Sequence, residues 1–315
     1  MQKTKRKLIF PIIAIVLAVI LIGGSIGLYC LAVSIYDGSF SYRCTTSEEN
    51  AFDISEFPGM TRQRHTFTSN KGQTLVGYLY AQENTENKAV IVFAHGLGAG
   101  GQTGYMDIFD FLTAQGYYVF AYDATANDES EGDVIGGLPQ GFIDLDHAID
   151  YVYTIEQTRD LPMVLMGYSW GGMSVGNVLN YHPEVKAVAS LAGWNKSMNM
   201  IDYRGCQMVG GVAKLLLPFA SVYEYTMYGS YASSTALKGF ANSDCKVMIV
   251  HGQQDDTIPI QYGYETYYEA YGENDRFVFK SYSDRDHEVM RTAEGVHDMA
   301  LMQEVVDFFN RSLGE

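Results

Sequence analysis

Ser169 lies in Gly167-Tyr168-Ser169-Trp170-Gly171, after the apolar run Met163-Val164-Leu165-Met166 and before Gly172-Met173-Ser174-Val175. A strand, a sharp turn carrying a serine, then a helix is a way to expose a nucleophilic hydroxyl at the tip of a sheet. The turn is strained and tolerates little bulk two residues to either side, which accounts for Gly167 and Gly171. A serine hydroxyl is a poor nucleophile at neutral pH. It needs a base within hydrogen-bonding reach, and the base needs an acceptor that fixes its tautomer.

The chain has seven histidines to supply the base. His65 falls in a strand, His147 in a helix, and His182 at the end of the helix after Ser169. His95 and His251 each follow a strand and precede glycine. His287 follows the strand Phe277 to Tyr282 across the polar loop Ser283-Asp284-Arg285-Asp286 and precedes the last helix, which returns it to the carboxyl edge of a sheet. It is the better base than His297, which lies at the start of that helix in position to cap it. For the acid, Val250-His251-Gly252-Gln253-Gln254-Asp255-Asp256-Thr257-Ile258-Pro259 ends a strand in a polar turn with two aspartates. Neighbouring side chains diverge, so one of Asp255 and Asp256 faces inward and the other caps or solvates the turn.

Acyl transfer also needs two N–H donors for the oxyanion, and losing one costs roughly 10²–10³ in rate. Trp170, directly after the nucleophile, offers one. The loop His95-Gly96-Leu97-Gly98-Ala99-Gly100-Gly101 offers the other, with Leu97 as the candidate donor. Glycines there let the backbone approach substrate closely. The loop lacks the Lys-Ser/Thr of a P-loop and the spacing of a dinucleotide fingerprint. No Cys/His spacing matches a zinc site, and the chemistry calls for no cofactor.

These residues need a scaffold that brings distant segments to one rim. Residues 64–68 and 74–80 read as a hairpin, after which strands and helices alternate. Ala89 to Ala94 is a continuous apolar run, suited to a strand buried on both faces. Strands follow at 117–122, 163–166, 188–192, 246–250 and 277–282, with helices between them and a last helix carrying apolar residues at 299, 302, 306 and 309. The alternation predicts a mostly parallel, doubly wound sheet covered on both faces, with ligands at the carboxyl ends of its strands. Residues 195–244 break the pattern and read as an apolar, tyrosine-rich lid inserted over that edge.

The order Ser169, Asp255, His287 resembles that of the α/β-hydrolases. His95-Gly96 resembles the family's oxyanion loop, Gly167-x-Ser169-x-Gly171 its elbow, and Gly252-x-x-Asp255-x-x-Ile258-Pro259 its acid turn, usually Gly-x-x-Asp-x-x-Val-Pro. The resemblance covers residues 65–312. It implies an α/β-hydrolase fold, favours Asp255 over Asp256 as the acid, and is nearest the group of monoacylglycerol lipases, esterases and prolyl aminopeptidase-like enzymes. One stretch departs: where many members read Asp-x-Arg-Gly-x-Gly-x-Ser, this chain has Asp123-Ala124-Thr125-Ala126-Asn127-Asp128-Glu129-Ser130.

The first 36 residues differ from the rest. Lys3, Lys5, Arg6 and Lys7 precede an uncharged stretch from Leu8 to Tyr36, about 44 Å long as a helix against a hydrocarbon core of ~30 Å. This reads as one transmembrane signal anchor (1–36) with a cytoplasmic basic flank and the rest of the chain outside the cell membrane. A linker (37–60) and the hydrolase domain (61–315) follow. The net charge is −16, and about −20 without those four basic residues. Such a charge argues against nucleic acid and predicts a domain repelled by anionic headgroups, standing off the membrane on its linker. Of four cysteines, Cys206 and Cys245 flank the lid and are candidates for a disulfide.

The reading expects a membrane-anchored serine hydrolase of carboxylic esters, acting on a small-molecule or lipid-like substrate. A peptidase using Asp202 and Glu224 of the lid to receive a free amino end is the nearest alternative. An acyltransferase on the same triad, or an inactive binding protein on the same fold, are the others.

Overall fold

The computed structural model describes residues 2–98 and 100–314; Ala99, in the glycine-rich loop, lies outside them. The chain opens with a long helix, α1 (Gln2–Phe40), followed by a β-hairpin of β1 (Met60–Thr68) and β2 (Thr74–Gln82). Then come β3 (Ala89–Ala94), α2 (Met106–Ala114), β4 (Tyr117–Tyr122), α3 (Gln140–Val152), β5 (Met163–Tyr168), α4 (Trp170–Asn177) and β6 (Ala187–Leu191). Three helices, α5 (Ser197–Val209), α6 (Leu217–Tyr228) and α7 (Ala236–Asn242), precede β7 (Lys246–Gly252). The chain closes with α8 (Tyr264–Tyr271), β8 (Phe277–Tyr282) and α9 (Met299–Leu313).

The strands form one sheet in the order β1-β2-β4-β3-β5-β6-β7-β8. β1 and β2 join antiparallel at one edge, and every pairing from β4 to β8 is parallel. β3 and β5 are buried along their whole length because helices cover both faces, hence their unbroken apolar sequence. Alternate residues of β3 feed opposite cores: Val90 and Val92 face α3 and α4, while Ile91 and Phe93 face α2 and α9. β1 is exposed along most of one side and carries Arg62, Gln63 and Arg64, charges and polarity that blunt an edge strand.

Two sequence expectations change here. The segment after α1 is not a free tether. α1 runs on to Phe40, with Ala32, Tyr36 and Phe40 buried one above another at helical spacing against the body. Beyond it the Cys44 N–H bonds to the Ala126 carbonyl at 2.9 Å, and Arg43 donates to the carbonyls of Asp128, Ser130 and Gly132. Apolar burial and these bonds hold the domain against the end of its helix. Second, Cys206 and Cys245 are both free. Cys206 lies in α5 above the carboxyl edge of the sheet, whereas Cys245 precedes β7 at the amino edge. A seven-residue strand, about 23 Å long, separates these levels. Within residues 195–244, α7 packs against α4, its Gly239 so close to the Gly176 carbonyl that a Cβ there would sit at 2.2 Å.

Candidate active site

A parallel sheet delivers all its carboxyl ends to one rim. Leu97 follows β3, Ser169 follows β5, Asp255 follows β7 and His287 follows β8, so four segments up to 190 residues apart meet there. Ser169 has φ 55° and ψ −113°, the strained turn expected between β5 and α4. Its flanking glycines are steric necessities. A Cβ on Gly167 would stand 2.2 Å from the Gly171 carbonyl oxygen, and one on Gly171 would stand 1.9 Å from that of Ala94.

The Ser169 hydroxyl donates to His287 Nε2 at 2.8 Å, and His287 Nδ1–H donates to Asp255 Oδ2 at 2.8 Å. The second bond fixes the imidazole tautomer and leaves Nε2 free to accept. Asp255 is buried, and its Oδ1 accepts the backbone N–H groups of Thr257 at 2.9 Å and Ile258 at 2.7 Å. Burial pushes this carboxyl up. Bonds from His251 and His287, the charge of His287 and the Ile258 N–H outweigh burial and hold it well below the ordinary carboxylate range. Asp256 is exposed, so of the two aspartates only Asp255 faces inward. His297 is not part of the constellation; its Nδ1 bonds to Asp107 of α2 at 2.7 Å.

The N–H groups of Leu97 and Trp170 sit on either side of this hydroxyl in sequence order. Among the described residues neither meets a protein acceptor. Trp170 opens α4, where helical N–H groups lack internal partners. The glycines of the Leu97 loop serve packing as much as substrate access: a Cβ on Gly100 would stand 2.2 Å from Thr46 Oγ1, and one on Gly101 1.9 Å from Asp123 Oδ1.

That carboxylate explains how the loop survives without the Arg-Gly pair. Asp123 accepts the N–H of Gln102 at 2.9 Å and of Glu129 at 3.2 Å; burial pushes it up to about 7 against those bonds. Asp128 accepts from the N–H of Thr46 and Gly101, and buried Asp144 from that of Thr125. Three carboxylates, each gathering backbone donors, support the turn. His95 is a structural member of the same network. Its Nδ1–H donates to the Gly96 carbonyl, its Nε2 accepts the Ala124 N–H, and burial lowers its pKa, so it stays neutral.

Sequence reasoning passed over His251. It is fully buried, and its Nε2–H lies 2.9 Å from the Ile258 carbonyl and 3.2 Å from Asp255 Oδ2. Its place directly before Gly252 in the acid turn was the available signal. Sequence reasoning also missed the contribution of α1. Ser169, His287 and Leu97 open onto a cavity of about 500 Å³, walled by lid residues such as Met200, Leu216 and Ala220 and, from α1, by Ala32, Ile35, Tyr36, Ser39 and Phe40. No carboxylate lines it among the described residues, and Arg204 is its one permanently charged side chain. The two lid acids lie outside it. Glu224 is buried and takes bonds from Tyr36 at 3.0 Å and from Ser197; Asp202 accepts from the Cys206 thiol at 3.3 Å.

Comparison with known proteins agrees with this architecture. Residues 85–228 match the model of a family described as serine aminopeptidase, S33. Among solved structures, an esterase of Pyrococcus furiosus superposes with a TM-score of 0.64 at 14% identity, over 86% of this chain and 98% of that one. The acylaminoacyl peptidase of Pyrococcus horikoshii gives 0.63 at 18% identity, over 82% of this chain and 43% of that one. Est1E of Butyrivibrio proteoclasticus, solved with ferulic acid, gives 0.60 at 16% identity, over 80% and 100%. No curated protein matches the sequence. The fold is that of the α/β-hydrolases. The family match covers the stretch that holds the Leu97 loop and Ser169.

Proposed function

We propose that this protein is a membrane-anchored hydrolase of carboxylic esters, with Ser169, His287 and Asp255 as its catalytic residues. The observation that carries the reading is the continuous relay from Ser169 Oγ to His287 to Asp255, each link 2.8 Å, opening onto an apolar cavity. Ser169 attacks the ester carbonyl as its proton passes to His287 Nε2. The N–H groups of Leu97 and Trp170 hold the oxyanion. His287 returns the proton to the departing alcohol, and an acyl group remains on Ser169. Water, deprotonated by the same imidazole, then releases the acid and restores the serine. Asp255 stabilises the imidazolium in both halves.

The family description and the peptidase neighbour favour a second reading, cleavage of an aminoacyl or peptidyl bond. A cavity with no carboxylate among its described lining residues offers a free ammonium end nothing to pair with, so the ester reading is preferred. The anchor reading rests on Pro11–Phe40, a helix of 30 residues whose most apolar 18-residue window has mean hydropathy 2.6, preceded by basic residues. Its length and flank fit one span of the cell membrane with the domain outside. Turnover of p-nitrophenyl butyrate set against an aminoacyl p-nitroanilide tests the choice. Ester hydrolysis abolished by Ser169→Ala supports it; preferred cleavage of the anilide overturns it.

A further inference from the structure

We infer that α1 is both the membrane span and a wall of the acyl-binding cavity, so that the substrate is a bilayer-resident acyl ester drawn in laterally beside that helix. The inference rests on the ester-hydrolase and anchor readings above, and it adds where the substrate comes from. Residues 11–28 of α1 touch no part of the domain closely enough to be buried; the first ring contact is Tyr29 against Tyr223 of α6, at 6.4 Å. About 20 helical residues cross a hydrocarbon core of ~30 Å. The domain therefore begins where the hydrocarbon ends. From Tyr29 to Phe40 the helix rises only about 17 Å, and this is the stretch whose Ala32, Tyr36 and Phe40 are buried.

The helix is unbroken from span to cavity wall, with Tyr36 bonded to Glu224 and Tyr223 donating to Asp37 at 2.7 Å. No slack separates the site from the bilayer. The lid beside it ends in an apolar tip: Met208, Val212 and Leu215 are 73%, 65% and 64% exposed. Met208 also lines the cavity, so the tip is part of the mouth. A group of large apolar side chains left in water marks an interaction surface, and here the occupant continuous with it is the bilayer that holds α1. Tyr223 stands against Tyr29, where tyrosines mark the headgroup boundary.

The test uses the full chain as Ser169→Ala, so that lipid is bound and not consumed. It is reconstituted in phosphatidylcholine vesicles in which a fraction of the phosphatidylcholine carries a diazirine near the end of one acyl chain. Photolabel is mapped by mass spectrometry. The expected result is label on residues 11–31 and also on cavity-lining Met200, which is only 5% exposed and is reached only by a chain that enters. Adding Ile35→Trp, which fills the cavity from the α1 side, lowers the Met200 label at least fivefold and leaves residues 11–31 labelled. Label confined to residues 11–31 overturns the inference without help from the second variant, as does Met200 label indifferent to residue 35. The readout needs no turnover. A wild-type chain that hydrolyses no ester would refute the functional reading while leaving this result to stand or fall by itself.

Discussion

The rim of the sheet and the wall of the cavity are built by different physics. At the rim, backbone groups and carboxylates fix each residue: the Ser169 turn by two glycine contacts closer than any Cβ allows, Asp255 by two N–H donors and two imidazoles. At the wall, α1, α5 and α6 meet through apolar faces, and the few polar links are the Tyr36–Glu224–Ser197 bonds and Tyr223–Asp37. The rim has one workable geometry, whereas the wall can change its lining without disturbing the chemistry. Substitutions at the rim should therefore strike kcat, and substitutions at the wall should strike selectivity and lid stability.

The largest effect expected is at Ser169. Ser169→Ala should lower kcat on an activated ester by about 10⁵-fold, measured against the folded wild type. Asp255→Asn, which keeps shape but favours the wrong imidazole tautomer, should cost about 10⁴. A wall residue behaving like this would erase the distinction between the two regions. His251→Phe removes one donor from Asp255 while keeping a buried ring, and should lower kcat about tenfold with KM little changed. At the wall, Ala220→Phe should reduce kcat/KM about fivefold more for an octanoyl than for an acetyl ester, because it shortens a cavity of about 500 Å³ without touching the relay. Equal losses on both esters would mean that α6 acts on the rim.

The smallest effect is one of pH. Glu224 ordinarily titrates near 4.5, and burial pushes it up to about 7 against its bonds from Ser197 and Tyr36. Below pH 4.5 the carboxyl is neutral folded and unfolded alike, with no penalty. Between pH 4.5 and 7 the unfolded chain loses its proton first, so stability falls across that window, and above pH 7 the full penalty stands. Glu224→Gln should therefore raise the melting temperature by a few degrees at pH 8.5 relative to wild type, and the gain should vanish by pH 4.5. A gain independent of pH would show that the carboxyl does not titrate in the folded lid.

The same contrast decides what the sequence discloses. Rim residues leave local signatures: Gly167 and Gly171 about Ser169, Gly252 and Pro259 about Asp255, an unbroken apolar run for β3. Each signature exists because a backbone close approach or a two-sided burial forbids other residues. The central strands were legible for that reason, β3 and β4 to the residue. Asp123, Asp128 and Asp144 stand in a segment whose departure from the family pattern is visible, but their bonds to Gln102, Gly101 and Thr125 join separate segments and leave no spacing to read. The wall was hidden more deeply. Ala32, Tyr36 and Phe40 recur at helical spacing, yet α1 is apolar on nearly every face, so the face that docks on protein carries no contrast. Contact between α1 and α6 joins segments 186 to 188 residues apart and leaves no spacing to read.

The central claim is that Ser169 is an activated nucleophile in the resting protein. Fluorophosphonate labelling of the full chain, mapped by mass spectrometry, tests it directly. The account predicts one modified residue, Ser169, with labelling slowed by at least about 10³-fold in His287→Ala. Folded protein that takes no label at Ser169, or takes it equally fast without the imidazole of His287, would contradict the account.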